Sequence, residues 1–423
     1  MTISIRKLKN SLGLYVLVMY IILLTGSAYQ NAYMSALAKF NMLVMYALIA
    51  WIGIIKRQLT TIPKNVVSFF IAYGIFNMFY CMVAWNEIEY YNLYISNFSF
   101  IVVAIIIAKK IPYQSFYKAF QNLMLVLAAI SLVLFLIPEI KAILPSFTIE
   151  GTFTYRSNYI YHTLVTNTER NCGFFWEPGM YQGILVIAIL QLILEKNHYD
   201  ISAYWFRIIV LIGTLITTYS TTGYVMIIAL TLLFIIDRMD LLSHKFTTII
   251  TIFVVALLLL FTGDNFFMNL FIDYMPDIVT SKIVNKNISY NTRMYSLVYD
   301  FWAIVQHPLG IGRLALSGTI DKIAMAFGTE IAARTNTIGT AFVHFGVVGG
   351  AIYFWFWIKA CFSINGCLSK RIIIFVIMMV IINTEPHMYT LLFNVILFYW
   401  YFQSGTQKKE LTIKDTDTWA SYL

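Results

Sequence analysis

The ten residues Arg170-Asn171-Cys172-Gly173-Phe174-Phe175-Trp176-Glu177-Pro178-Gly179 set a guanidinium and a carboxylate at the mouth of a long apolar run. Charge beside such a run is expensive and marks a place where an anion is bound or a proton moved. Arginine suits the first task, because its planar fork stays charged and can meet two phosphate oxygens at once. Glu177 suits the second, as an acceptor that orients or deprotonates a hydroxyl. Around these lie Arg156 and His162, and a later stretch repeats the chemistry with Arg293, Arg313, Arg334 and Asn336. The structural alternatives are ion pairs of the arginines with Glu169, Asp273 and Asp277, and a helix-capping role for Glu177 ahead of Pro178. Arg170 and Arg293 stand apart because each immediately precedes an apolar segment. Of the six scattered histidines, His162 and His344 are the best placed to act.

Other chemistries leave no trace. The chain has no Walker loop, no Rossmann glycine pattern and no His-x-x-x-His or Cys-x-x-Cys pair, so neither cofactor nor metal is expected. Reaction would rest on positioning and electrostatics.

The elements that must hold these residues are membrane spans. Hydrophobic residues make up 60% of the 423 and charged ones 12%, and apolar runs approach the roughly 20 residues that cross a bilayer. The runs fall at 12-28, 40-55, 66-85, 92-108, 119-137, 179-195, 204-219, 221-236, 246-262, 338-358, 372-385 and 388-402. This predicts an all-α polytopic membrane protein of about 12 spans, one bundle over 1-402 with a short polar tail at 403-423. The segments 204-236 and 372-402 could each be one long tilted helix rather than a hairpin. Charge favours two hairpins: 19 of the 29 basic residues then share one side with both termini, which the positive-inside rule makes cytoplasmic. A net charge of +9 comes from residues flanking the spans, not from a basic patch, so no nucleic-acid partner is expected. Arg6, Lys7 and Lys9 before the first run read as the flank of an uncleaved first helix. The cysteines suggest no disulfide framework: Cys81 falls in a span, Cys361 and Cys367 in a short cytoplasmic loop, and Cys172 outside as a small packing residue.

Two outward loops, 138-178 and 263-337, interrupt the otherwise short connections and carry the candidate residues. In the second, Met294, Leu297, Val298, Phe301, Trp302 and Val305 recur at helical spacing, as do Ile320, Ile323, Ala324, Phe327 and Ile331. Both stretches read as amphipathic helices lying at the membrane surface.

Three segments in order resemble bacterial O-antigen and capsule repeat-unit polymerases. Arg170-x-x-Gly173-Phe174-Phe175-Trp176-Glu177-Pro178 resembles that family's arginine-to-Glu-Pro segment. Arg293, a helix, then His307-Pro308-Leu309-Gly310-Ile311-Gly312 is similar to its second-loop pattern. Asn336 followed by Phe345-Gly346-Val347-Val348-Gly349-Gly350 resembles its asparagine and Phe-Gly-x-x-Gly. The resemblance spans about residues 150 to 360. It implies a GT-C-like glycosyltransferase that joins undecaprenyl-pyrophosphate-linked oligosaccharides at the outer face of the bacterial plasma membrane, building O-antigen, capsule or exopolysaccharide without metal. Arg170 and Arg293 would bind the pyrophosphates, Glu177 would serve the acceptor hydroxyl, and Arg156, Arg313, Arg334, Asn336 and His162 would contact substrate. A flippase and a chain-length regulator are the implied partners. The related ligases carry histidine before the matching asparagine, where this chain has Thr335, which argues against ligation. A lipid-linked oligosaccharide flippase is the rival class, although flippases tend to carry charges inside their spans and to keep their outer loops short.

Overall fold

The computed structural model describes residues 5-33, 66-238, 299-312, 337-385 and 387-402. They are mostly helical: α1 (Ile5–Leu23), α2 (Ala28–Ala32), α3 (Val66–Ala84), α4 (Tyr91–Lys110), α5 (Tyr113–Leu136) and α6 (Pro138–Ile143) precede a small sheet, β1 (Phe147–Ile149), β2 (Tyr155–Ser157) and β3 (His162–Leu164). After it come α7 (Pro178–Leu194), α8 (Ile201–Thr217) and α9 (Thr221–Arg238). A helix at 299-306, here α10, is followed by α11 (Thr337–Phe362), α12 (Leu368–Ile382) and α13 (Leu391–Phe402). Val66–Ala84, Tyr113–Leu136 and Thr337–Phe362 are long and apolar enough to cross a membrane, and five shorter apolar helices accompany them.

The expected spans at 40-55 and 246-262 lie outside the described residues. Each of the others is helical, with shifted ends. The first helix stops at Leu23 instead of 28, because Gly26 turns the chain with φ +85° and leaves α2 as a separate short helix. Both doubtful segments are broken: α8 and α9 part at Thr218-Tyr219-Ser220, where Tyr219 has φ +45°, and α12 and α13 part across 383-390. Cys361 is corrected from a loop to a helical residue, since α11 runs to Phe362 and buries it.

An apolar helix without a polar face must be buried on all sides, and α7 and α13 satisfy this. Every α7 residue from Met180 to Ile193 is buried, with Gln182 and Gln191 the polar exceptions, and Leu391 to Trp400 of α13 are buried likewise. Around α7 pack α5, α8 and α9; α12 lies against α9 and α11, and α3 against α11. Small residues permit the closest approaches: a Cβ on Gly74 of α3 would lie 2.2 Å from the Phe98 ring of α4.

The two ends of the bundle differ in charge. At one, Asp237 of α9 accepts from Lys196 at 2.7 Å and from Lys370 at 2.6 Å, tying three helix ends together. Lys109 lies over the Phe402 ring at 4.9 Å, Lys359 over Tyr401 at 4.7 Å and Arg207 over Tyr199 at 4.6 Å. These are residues expected on the basic side. The opposite end carries the β-sheet and the Arg170–Glu177 loop.

The sheet was not anticipated from the sequence. It is an antiparallel meander in the order β1-β2-β3, with Thr148, Arg156 and Thr163 in register across it. Ile149, Tyr155, Leu164 and Cys172 form its own small core against Ala28 of α2.

Candidate functional site

The site is assembled on the first turn of α7. Glu177 is the N-cap residue, extended at φ −152° and ψ 160°, and its carbonyl accepts from Tyr181 N at 3.2 Å while its side chain makes no capping bond. Pro178 fills the first helical position, where a missing N–H costs nothing. The carboxylate is therefore half-buried and not engaged as a cap.

Beside it stands Glu385, which enters from the turn between α12 and α13 and is 6% exposed. The two flank one glycine: a Cβ on Gly179 would lie 3.1 Å from Glu385 Oε1 and 3.9 Å from Glu177 Oε1. Both acids thus sit near the positive end of the α7 dipole, which favours negative charge there. The Glu385 turn is held by Thr337, whose hydroxyl donates to the Glu385 carbonyl at 2.5 Å and accepts from His387 N at 2.7 Å. His387 follows one turn deeper, its Nε2 3.6 Å from the Cβ position of Gly183 and its ring stacked on Phe393 at 3.7 Å. Burial pushes its pKa down to about 3. In the sequence, Glu385-Pro386-His387 stands only as the break between the apolar runs 372-385 and 388-402. The available signal was the repeated Glu-Pro dipeptide, at Glu177-Pro178 and again at Glu385-Pro386.

The loop before Glu177 is fastened by its own residues. Asn171 N donates to Thr217 O at 3.0 Å, Asn171 Nδ2 to Thr217 Oγ1 at 2.9 Å, and Gly173 N to Asn171 Oδ1 at 2.9 Å. Gly173 has φ +56°, and a Cβ there would lie 2.4 Å from the Tyr181 ring, so this motif glycine is required for the loop to rest on α7. Backbone bonds from Trp176 N to Gly26 O (3.0 Å) and from Ala28 N to Phe174 O (3.3 Å) join it to α2. Arg170 is half-exposed, and its Nε donates to Thr218 O at 3.0 Å, so one edge of the fork is committed to the α8–α9 turn. Arg170 and Glu177 act with opposite sign on the buried Cys172 thiol between them, whose pKa burial raises to about 12.

The other expected residues fall as follows. Arg156 is exposed on β2, at the same end as Arg170. His162 is fully buried, ringed by Tyr29 at 5.1 Å, Phe174 at 5.8 Å and Tyr155 at 6.4 Å, with neither ring nitrogen hydrogen-bonded among the described residues. Desolvation lowers its pKa to about 4, and in this conformation it has the surroundings of a packing residue. His344 is buried edge-on to Phe345 at 4.7 Å. Arg293, Arg313, Arg334 and Asn336 lie outside the described residues. The described part of the expected amphipathic helix at 294-305 is α10, which exposes Phe301, Trp302 and Val305 and buries Tyr299 and Ala303.

No family model, no curated protein and no solved structure matches this chain.

Proposed function

We propose that this chain is a GT-C-like membrane glycosyltransferase that polymerises undecaprenyl-pyrophosphate-linked oligosaccharide repeat units into O-antigen, capsule or exopolysaccharide. It would work at the outer face of the bacterial plasma membrane, with both termini cytoplasmic. The observation that carries the reading is the pair Glu177 and Glu385 flanking Gly179 at the buried N-terminus of α7, on the loop that also fixes Arg170. The three sequence segments that resemble repeat-unit polymerases support it from a separate direction.

In the proposed reaction the acceptor hydroxyl oxygen bonds to the anomeric carbon of the donor glycan. The bond from that carbon to the pyrophosphate oxygen breaks, and its electron pair leaves with undecaprenyl pyrophosphate. The hydroxyl proton passes to Glu177, as general base. Glu385, on the other side of Gly179, is close enough to orient the same hydroxyl. Arg170, with Arg293, stabilises the charge gathering on the leaving pyrophosphate.

Glu177→Gln tests the assignment, because it keeps size and an acceptor oxygen but removes the base. Lipid-linked single repeats should accumulate on the outer leaflet while the protein stays folded and inserted. Polymer of normal length and amount from that variant would remove Glu177 from the mechanism. Retention of the single repeats on the inner leaflet would instead favour a flippase.

A further inference from the structure

The short helix α6 exposes both its isoleucines, beside Glu139, while its lysine turns inward. Its lysine turns toward the protein: Lys141 Nζ donates to Thr163 Oγ1 and lies over the Tyr161 ring at 5.0 Å. Its isoleucines turn away, Ile143 being 83% exposed and Ile140 39%. A surface helix bathed in water shows the reverse pattern. The exposed apolar surface also continues in both directions. Behind α6 it runs into the outward face of α5 through Val133 and Leu136, and ahead of it into Leu144 and Phe147 of β1.

Length fixes the depth. With 24 residues, α5 is about 36 Å long, against roughly 30 Å of hydrocarbon, so its final turn already reaches the interfacial layer. Only Ile137 separates α5 from α6. The tip of the β2–β3 hairpin joins the same surface: Tyr159 adopts φ +70° and projects a 62% exposed ring that packs on Phe147 at 4.9 Å. A left-handed non-glycine residue is strained, and here that backbone holds an amphipathic ring at the edge of the apolar surface. Tyrosine is enriched at that level of a membrane.

We propose that α6 and the outer edge of β1, with Ile140, Ile143, Leu144, Phe147 and Tyr159, are immersed in the interfacial layer of the bilayer and seat the β-sheet on the membrane. The occupant of this surface is lipid, because its exposed apolar residues continue along the chain from those of a membrane-length helix. Seating the sheet sets the height of Arg156, which is itself exposed and lies in register between exposed Thr148 and buried Thr163. A pyrophosphate carried on a lipid would meet that guanidinium at the level of the phospholipid headgroups. The proposal rests on the membrane reading, and its link to Arg156 rests on the proposed substrate class.

The test uses the purified full chain in lipid nanodiscs, with Cys367→Ser to remove the accessible thiol. A nitroxide is placed in turn at Ile143→Cys, Phe147→Cys, Arg156→Cys and Val133→Cys, and its collisions with oxygen and with a water-soluble nickel chelate are compared. Ile143 and Phe147 should collide more with oxygen than with the chelate, as Val133 does, and Arg156 should show the reverse. Two outcomes overturn the proposal: chelate collisions dominating at 143 and 147, which means water, or neither reagent reaching them, which means coverage by protein. The measurement needs no catalysis, so this seat can stand while the polymerase reading falls, and the reverse.

Discussion

Gly310 and Gly346 are packed backbone against backbone. A Cβ on Gly310 would lie 2.5 Å from His344 O and 2.9 Å from Gly346 N, and one on Gly346 would lie 2.5 Å from Pro308 O. Both residues have positive φ, +98° and +71°, and Gly346 kinks α11 by leaving the helical region. The carbonyls and amides freed at the kink find partners across the contact: Ile311 N donates to Val343 O and Val347 N to Pro308 O, each at 2.9 Å. The Pro-Leu-Gly-x-Gly and Phe-Gly segments, read separately in sequence, are therefore two halves of one joint, and their glycines serve packing.

Gly346→Ala should accordingly lower the thermal midpoint of the protein in nanodiscs, by the equivalent of about 1 to 3 kcal/mol from forced left-handed geometry, and more if the strands of the joint separate. Gly13→Ala, in the interior of α1 with nothing within 4 Å of the added carbon, is the control and should leave the midpoint unchanged or raise it slightly. Equal midpoints for both variants would mean that the joint does not contribute to stability.

Gly179→Ala bears on the carboxylate pair. The added methyl would sit 3.1 Å from Glu385 Oε1, tighter than ordinary contact, so the acid must move by a few tenths of an ångström. Misplacement of a reacting group lowers rate steeply, and polymer yield should drop on the order of tenfold at unchanged protein level. Glu385→Gln should reproduce the accumulation expected for Glu177→Gln. Normal polymer from both Gly179→Ala and Glu385→Gln would leave Glu385 as a structural acid.

Arg170→Lys keeps the charge and loses the fork. One ammonium cannot hold Thr218 O, where Arg170 Nε now donates at 3.0 Å, and also present two parallel donors to a pyrophosphate. Polymer measured by gel ladder should fall severalfold or more. Full activity would show that a general positive potential is sufficient.

Stability should depend on pH through His162. Its pKa falls from the ordinary 6.5 to about 4 in the folded chain because the aromatic cage of Tyr29, Tyr155 and Phe174 excludes water. Between those values the unfolded state binds the proton and the folded state does not, so folding stability is full above about pH 6.5 and declines as pH falls toward 4. The loss is at most about 3 kcal/mol from this residue, and His387, pushed down to about 3, adds to it with the same sign. His162→Phe fills the cage without a titrating group, and its thermal midpoint should vary less between pH 7 and pH 4.5. An unchanged slope would show that His162 is already protonated or hydrated in the folded state.

Sidedness follows from the two ends of the bundle. A cysteine at Ile160, 43% exposed on the sheet end, should react with an impermeant thiol reagent in intact spheroplasts. One at His198, beside the Lys196–Asp237–Lys370 cluster, should react only after lysis. Labelling of His198→Cys alone would invert the topology and place the carboxylates in the cytoplasm.

The helices were legible in the sequence because a segment that leaves water must be apolar along its length and must satisfy its backbone internally, and both demands are local. The distribution of basic residues was legible for a similar reason: charges flank spans, and Lys109, Lys196, Lys359 and Lys370 do gather at one end. Glu177 could be singled out because it stands next to an apolar run. What only the tertiary structure decided is which distant residues meet. Three-residue strands are too short to show a period, so the sheet, the enclosure of His162 and the outward turn of Ile143 left no pattern. Glu385 looked like a helix breaker until the α12–α13 turn brought it to Gly179. Such convergence depends on how side chains interlock between helices, down to a single missing Cβ, and hydropathy, being an average over a segment, does not record it.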